Sequence, residues 1–432
     1  MSSSAMLGRS MLSVISPTDP DYQERLANLG RRTSAMPAHV ESAAKDIVAQ
    51  VRAEGDAALR SLTQKFENRT LGAVELSRDA WEAALLKVSP TVQAALEVAA
   101  ARIRSYHERE RYESFEFEAE GVRLGCRFTP LDRAGIYVPG GKALYPSTVL
   151  MTAIPAKVAG VREVIMVTPG PSPEALAAAK VAGVDRVFHI GGAQAIAALA
   201  YGTQTVPRVD KIVGPGNAYV TAAKRLVFGD VGIDSIAGPT EIVVVADNTV
   251  PAAWVAADLL AQAEHDELAA PILIAIGKDV ALAVCAEVER QLATLPRRAI
   301  AERSIKDWGL AIVVQSAAEA IDLVNLLAPE HAELALENAR NLAQQVTRAG
   351  AVFIGPHTPE SVGDYIAGPS HVLPTGGSAR FSSPLGVGDF VKRTSMIEYS
   401  AQALSAQSQH ILALTEAEGL DAHGRAVTVR FS

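Results

Sequence analysis

The run VREVIMVTP (161–169), PEALAAAKVAG (173–183), RVFHIGG (186–192), AQAIAALAYG (193–202) and DKIVGPG (210–216) decides the fold. Short apolar runs alternate with Ala/Leu-rich stretches, and glycine closes the units. The reading is strand, helix, strand, helix, strand, with NAYVTAAKRLVFG (217–229) as a further helix. Such alternation predicts parallel strands joined by crossover helices.

Working outward, a second series begins at AGPTEIVVVAD (237–247), a strand. It continues through a helix at 250–270, the strand PILIAIG (271–277) and a helix at 279–295. AIVVQS (311–316), AEAIDLVNLLAPEHAELAL (318–336) and AGAVFIG (349–355) complete it. AGIYVPGG (134–141) and AGPTEIVV each open such a series, so the expected fold class is α/β with two Rossmann-like doubly wound domains and small helical segments at both ends. Residues 42–66 and 80–110 repeat apolar positions at three and four and predict helices. FEFEAEGVRLGCRFTPL (115–131) alternates apolar and polar around Glu120-Gly121, a hairpin signal. The segment 361–390 is a long Gly/Pro/Ser-rich loop of the kind that carries function. The expected domains are an arm at 1–35, one α/β domain from 36–134 plus 237–380, a second from 135–236, and a helical segment at 381–432 for contact with another subunit.

Composition narrows the function. Lys+Arg number 40 and Asp+Glu 48, a formal charge of −8, with no basic tract. Nucleic-acid binding needs clustered Lys/Arg to neutralise phosphates, so a small metabolite is the expected partner, not nucleic acid. No apolar run of spanning length or signal-peptide form is evident, so neither a membrane nor export is expected. Cys126 and Cys285 are the only cysteines and belong to no C-x-x-C pair. A reducing compartment, the cytoplasm, is the expectation.

Several polar residues could carry chemistry. Glu330 and His331 place a carboxylate beside an imidazole, two groups able to exchange protons near neutral pH. Pro329 disfavours helical geometry at Ala328 and can begin a helix, so the pair is expected at the N-terminus of a helix through 332–345. The same position would suit a carboxylate that merely complements a helix dipole. Gln262 and His265 lie three apart on a predicted helix and share a face. With Asp364 and His423 they make a four-ligand N/O set suited to zinc or a neighbouring divalent ion; a polar pair on a solvated face is the bland alternative. His371 lies on the same glycine-rich loop as Asp364. The loops GIYVPGG (135–141), GGAQAIAALA (191–200) and VGPGNAYV (213–220) offer backbone N–H groups to a pyrophosphate. None has the G-x-G-x-x-G spacing, and ordinary tight turns read equally well.

These pieces, in this order, resemble the histidinol dehydrogenase family over nearly the whole chain. The stretches that carry the resemblance are 132–160, 211–225, 237–247, DLLAQAEHD (258–266), LAPEHAEL (327–334) and SVGDYIAGPSHVLPTGG (361–377). It implies two successive NAD-dependent oxidations, L-histidinol through the aldehyde to L-histidine. By position, Glu330 resembles the base that activates water and His331 the group that takes the alcohol proton. Gln262, His265, Asp364 and His423 resemble the ligands of one zinc per subunit. Thr240 matches a substrate position that is often Ser in the family, and Glu418 and His371 resemble substrate contacts. Tyr137, Gln194 and Asn217 match NAD contacts. The resemblance also implies a homodimer in which Glu418 and His423 act in trans. Neither cysteine has the exposed, electropositive setting a thiol route requires, and Glu330 fits activation of water. A zinc hydrolase using Glu330, and a non-catalytic metabolite-binding protein, remain the alternatives at this point.

Overall fold

A computed structural model describes residues 11–31, 36–140 and 145–431; Gly141 of the 135–141 loop and the first ten residues of the expected arm, with 32–35, lie outside this range. Two parallel sheets and a small antiparallel one organise the chain. Sheet I joins β4 (Arg133–Tyr137), β5 (Glu163–Val167), β6 (Arg186–Phe188), β7 (Lys211–Val213) and β8 (Gly232–Ile233) in the order β6-β5-β4-β7-β8. Sheet II joins β9 (Glu241–Ala246), β10 (Ala270–Ile276), β11 (Leu310–Val314), β12 (His331–Ala335) and β13 (Ala351–Ile354), ordered β11-β10-β9-β12-β13, with β1 (Ser13–Ile15) added beside β11. Both sheets therefore follow one plan, third-second-first-fourth-fifth. The strand order reverses between first and fourth, the switch point of a doubly wound sheet. The two doubly wound units are as expected.

The strands form because they are buried on both faces. EIVVVA of β9 and LAIVV of β11 are buried at every position, so they read as continuous apolar runs. The helix Pro173–Ala182 shows the local signals plainly. Ser172 accepts the N–H of Ala175, Pro173 occupies the first turn, and Gly183 ends it at φ 81°.

The N-terminal helices correct the expected domain grouping. Ile47, Val51, Leu59 and Leu62 share a core with Ile196 and Leu199, and Trp81, Leu96 and Ile103 share one with Met151 and Met166. Their apolar faces are thus covered chiefly by the 135–236 unit, with Val372, Leu385, Val387 and Phe390 joining the second of these cores. Within the arm, β1 pairs with β11 through Ser13–Leu310 and Ile15–Ile312. The hairpin at 115–131 is present as β2 (Phe115–Ala119) and β3 (Val122–Pro130), but it acquires a third strand. β14 (Val391–Tyr399) pairs antiparallel with the whole of β3, so the segment 381–432 is part strand and not helical throughout. Two helices, Ala401–Ala417 and Asp421–Thr428, follow and pack chiefly on each other. No helix among the described residues is long and apolar enough to cross a membrane.

Candidate active site

Glu330 and His331 lie at the amino edge of sheet II. The helix Ala317–Leu327 ends at Ala328, which adopts a left-handed conformation (φ 51°), and Pro329 then directs the chain into β12. The helix expected through 332–345 is therefore corrected to a strand at His331–Ala335, and only Ala339–Ala343 is helical. Pairing with β9 and β13 on both sides outweighs the weak local preference of HAELA. Gly350 packs so closely on this turn that a Cβ there would lie 2.5 Å from the Glu330 carbonyl oxygen.

The Glu330 carboxylate is tightly held. Its Oε2 accepts the Thr240 hydroxyl at 2.6 Å and the Glu241 N–H at 3.1 Å, and lies 3.8 Å from His331 Nδ1. Burial pushes this carboxyl up to about 7, against the lowering pull of His331 and the Thr240 hydroxyl. His331 Nδ1 lies 3.0 Å from the Glu241 carbonyl oxygen and donates to it, which leaves Nε2 facing Glu360 at 3.6 Å. For His331, burial alone would favour the neutral ring. Glu360, Glu330 and Asp364 outweigh it and raise the imidazole to about 9. Glu360 is itself buried and pushed up to about 7 by desolvation.

Beside this pair the structure gathers ligand-type side chains. One ligand atom from each of His265, Glu360 and Asp364 lies within 4.8 Å of the others, and His265 Nε2 is 4.0 Å from Asp364. Desolvation lowers His265 and His371 below the ordinary histidine value, which favours rings with a free lone pair. Gln262 is fully buried. Its Nε2 donates to Thr240 at 2.9 Å while its Oε1 is buried without a donor. An orphaned amide oxygen on the helix end that leads to His265 fits a divalent cation, since buried polar atoms otherwise find partners. His371 joins the units: Nδ1 meets the Asp364 carbonyl at 3.0 Å and Nε2 meets Thr148 of the 135–236 unit at 3.2 Å.

The expected cofactor residues lie at the opposite, carboxyl edge of sheet I. The Tyr137 hydroxyl accepts the Gly192 N–H at 3.1 Å, and the Gln194 amide fills the space where a Gly192 side chain would go. Asn217 caps the helix Ala218–Val227 by accepting from Tyr219 and Val220. Gly214 (φ 110°) lies against the Tyr137 carbonyl, leaving no room for a Cβ. Its N–H donates to Asp234 at 2.7 Å and its carbonyl accepts from Lys224 at 3.0 Å; Lys224 and Asp234 form a buried ion pair. A glycine-lined edge where two helices begin, the one at Asn217–Ala218 exposed, fits the pyrophosphate of a dinucleotide. Tyr137 and Gln194 are almost wholly buried, so their visible role is to build the loop.

Glu418 and His423 are not brought to this site by their own chain. Both are exposed, one ending the helix Ala401–Ala417 and the other in the helix Asp421–Thr428.

The family model for histidinol dehydrogenase matches residues 30–431. A histidinol dehydrogenase from Cupriavidus pinatubonensis is 52% identical over 426 residues, 96% of each chain. One from Syntrophotalea carbinolica is 51% identical over 427 residues, 97% of this chain and 99% of the relative. The crystal structure of the Elizabethkingia anophelis histidinol dehydrogenase superposes with a TM-score of 0.92 at 36% identity, covering 98% of both chains. The chain belongs to the histidinol dehydrogenase family. Histidinol dehydrogenases are NAD-dependent oxidoreductases of histidine biosynthesis, which removes the hydrolase and the passive binder as readings.

Against that family background, sequence reasoning missed Glu360, the carboxylate facing His331. Its spacing of four from Asp364 could have shown it, because such residues share a helical face. It also missed Glu241, Glu333 and Asp258, for which the local sequence carries no signal beyond charge.

Proposed function

We propose that the chain, as a cytoplasmic homodimer, converts L-histidinol through L-histidinal to L-histidine with two molecules of NAD. The observation that carries the reading is the buried Glu330–His331 pair, with opposite faces of the imidazole committed to different partners, next to Gln262, His265 and Asp364.

His331 Nδ1 is held by the Glu241 carbonyl, so Nε2 of the neutral ring, a minority form below about pH 9 among these carboxylates, is the atom that takes the alcohol proton in the first oxidation. Glu330, anchored by Thr240 and the Glu241 N–H, deprotonates water, which adds to the aldehyde carbon and gives the hydrate for the second oxidation. NAD, when bound at the carboxyl edge of sheet I, accepts the hydride in each oxidation. Overall, one alcohol, one water and two NAD give one carboxylate, two NADH and three protons. Gln262, His265 and Asp364 would hold zinc, which would supply a positive charge to help position the substrate and to favour the ionised form of nearby acids. His371 and Thr240 border the same space and serve as substrate contacts.

The fourth ligand, His423, and the substrate contact Glu418 come from the second copy. Support lies in their exposure and in exposed apolar side chains on the same C-terminal helices, Leu414 and Val429, and on the antiparallel sheet before them, Phe115, Phe117 and Ile397. Purified protein with zinc, histidinol and NAD should release two NADH per histidinol, and the absence of NADH would remove this reading. Mixing the His331→Asn and His423→Asn proteins should recover activity, because one site of the mixed dimer is then intact. No recovery in a verified mixed dimer would place His423 in cis.

A further inference from the structure

The glycine loop at the carboxyl edge of sheet I carries a buried ion pair that no step of the reaction uses. Lys224 lies in the helix Ala218–Val227, two turns beyond Asn217, and Asp234 directly follows β8. Their side chains are only 3% and 4% exposed, and Lys224 Nζ is in direct contact with Asp234 Oδ1. Both ends of the pair reach one glycine. Asp234 Oδ2 accepts the Gly214 N–H at 2.7 Å, and Lys224 Nζ donates to the Gly214 carbonyl at 3.0 Å. The backbone of Asp234 is itself fixed, because its N–H donates to the Ile212 carbonyl of β7 at 3.3 Å.

A buried ion pair is a poor device for stability alone. Taking two charges out of water offsets most of their attraction, and apolar side chains of like volume often serve as well. Apolar side chains could not hold Gly214. Its φ of 110° is one that residues with a side chain rarely adopt, and glycine has the greatest backbone freedom of any residue. The peptide group before the Gly214 Cα is held by an anion and the one after it by a cation. Neither dihedral of Gly214 can turn without breaking a charge-assisted hydrogen bond.

We propose that Lys224 and Asp234 are positioning residues for the cofactor: they lock both peptide planes of Gly214 and so hold the 213–217 loop, before NAD arrives, in the shape that receives its pyrophosphate. They act through Gly214 and not on the reacting atoms. The proposal rests on the reading of this edge as the NAD site. Without the clamp the loop spreads over other shapes, and affinity falls with the fraction of chains in the competent one.

The test uses the full-length, zinc-loaded protein. Combining Lys224→Met with Asp234→Ala removes both charges together and leaves no lone buried charge, so the chain should still fold, which circular dichroism checks. KM for NAD should rise about 10- to 100-fold, the worth of hydrogen bonds to charged groups, with the dissociation constant of NADH rising in parallel. The kcat at saturating NAD and the zinc content should stay at the wild-type level. A pair that only stabilised the fold would lower the melting temperature and leave KM unmoved. Should that variant not fold, Lys224→Met with Asp234→Asn is the second. It too buries no lone charge, keeps an acceptor for the Gly214 N–H and should raise KM for NAD by a smaller factor. Wild-type KM for NAD in whichever variant folds would overturn the clamp. Gly214→Ala separates that failure from a failure of the site assignment. If it raises KM for NAD and the paired variants do not, the clamp alone falls; if it too leaves KM unchanged, the loop is not where NAD binds.

Discussion

In sheet I the residues assigned to NAD lie at or beyond the carboxyl ends of β4, β6 and β7, whereas in sheet II Glu330, His331 and Thr240, to which we assign proton handling and substrate contact, lie at the amino ends of β9 and β12 beside the proposed metal ligands. The two sheets have the same strand order and the same switch point, so topology alone does not choose the edge. The helix ends do. At the carboxyl edge of sheet I the helices Gly192–Tyr201 and Ala218–Val227 begin, presenting the positive end of the dipole, which suits a pyrophosphate. At the amino edge of sheet II the helices Ala252–Ala263 and Ala317–Leu327 end, presenting carbonyls and the negative end. That end favours a cation and a protonated imidazole. One plan used twice thus provides an anion edge and a cation edge.

The sharpest way to break this comparison is at the cation edge. Glu330→Gln keeps the Thr240 contact but cannot take a proton from water. A loss of about 10²- to 10⁴-fold in aldehyde-to-acid turnover is expected, with KM for NAD unchanged. Stopped-flow NADH formation from histidinal measures it; full turnover would remove Glu330 from that role. In the wild type, a base raised to about 7 works only once ionised, so kcat for this step should climb through neutral pH and level above it. Bound zinc would shift that limb to lower pH, and the limb should vanish in Glu330→Gln.

Next in size is the metal. His265→Asn or Asp364→Asn should lower zinc affinity by at least about 10- to 100-fold, with chelator sensitivity to match, and leave NAD binding by fluorescence quenching intact. Equal loss of NAD binding would mean that the two edges are not separable.

The opposite edge answers with the opposite signature. Gly214→Ala places a Cβ on the Tyr137 carbonyl at a φ of 110°. Strain of about 1–3 kcal/mol in the loop should raise KM for NAD by about tenfold or more while zinc content stays at one per chain. A changed zinc content with normal KM would reverse the assignment of the edges.

Much of this division was legible in the sequence, and the part that was not has a physical cause. β5, β9, β10 and β11 announce themselves because strands buried on both faces must be apolar throughout. β12 does not, since His331 and Glu333 are polar residues in a buried strand, present because the site needs them. The edge on which chemistry would occur was also hidden, because it depends on where helices end in space. Gln262, His265 and Asp364 were singled out by residue type and spacing; Glu360, four positions before Asp364, was overlooked because its partner, His331, is 29 positions away in the chain. The packing of the N-terminal helices was illegible for the same reason: an amphipathic helix states that it has an apolar face but not which sheet covers it.

The smallest expected effect tests the turn that delivers Glu330 to the amino edge. Ala328 holds a left-handed conformation at the end of the helix Ala317–Leu327, with its side chain fully buried, immediately before Pro329. For alanine that conformation costs about 1–2 kcal/mol. Glycine there relieves the strain but carries about 0.5–1 kcal/mol of additional unfolded-state entropy and loses a buried methyl worth about 0.8 kcal/mol. The terms nearly cancel, so Ala328→Gly should shift the melting temperature by no more than a few degrees in either direction. The informative readout is kcat. If the strain only terminates the helix, turnover is unchanged. If it fixes the angle at which Glu330 enters the site, the looser glycine turn lowers aldehyde turnover several-fold at constant stability, while KM for NAD, set at the other edge, does not move.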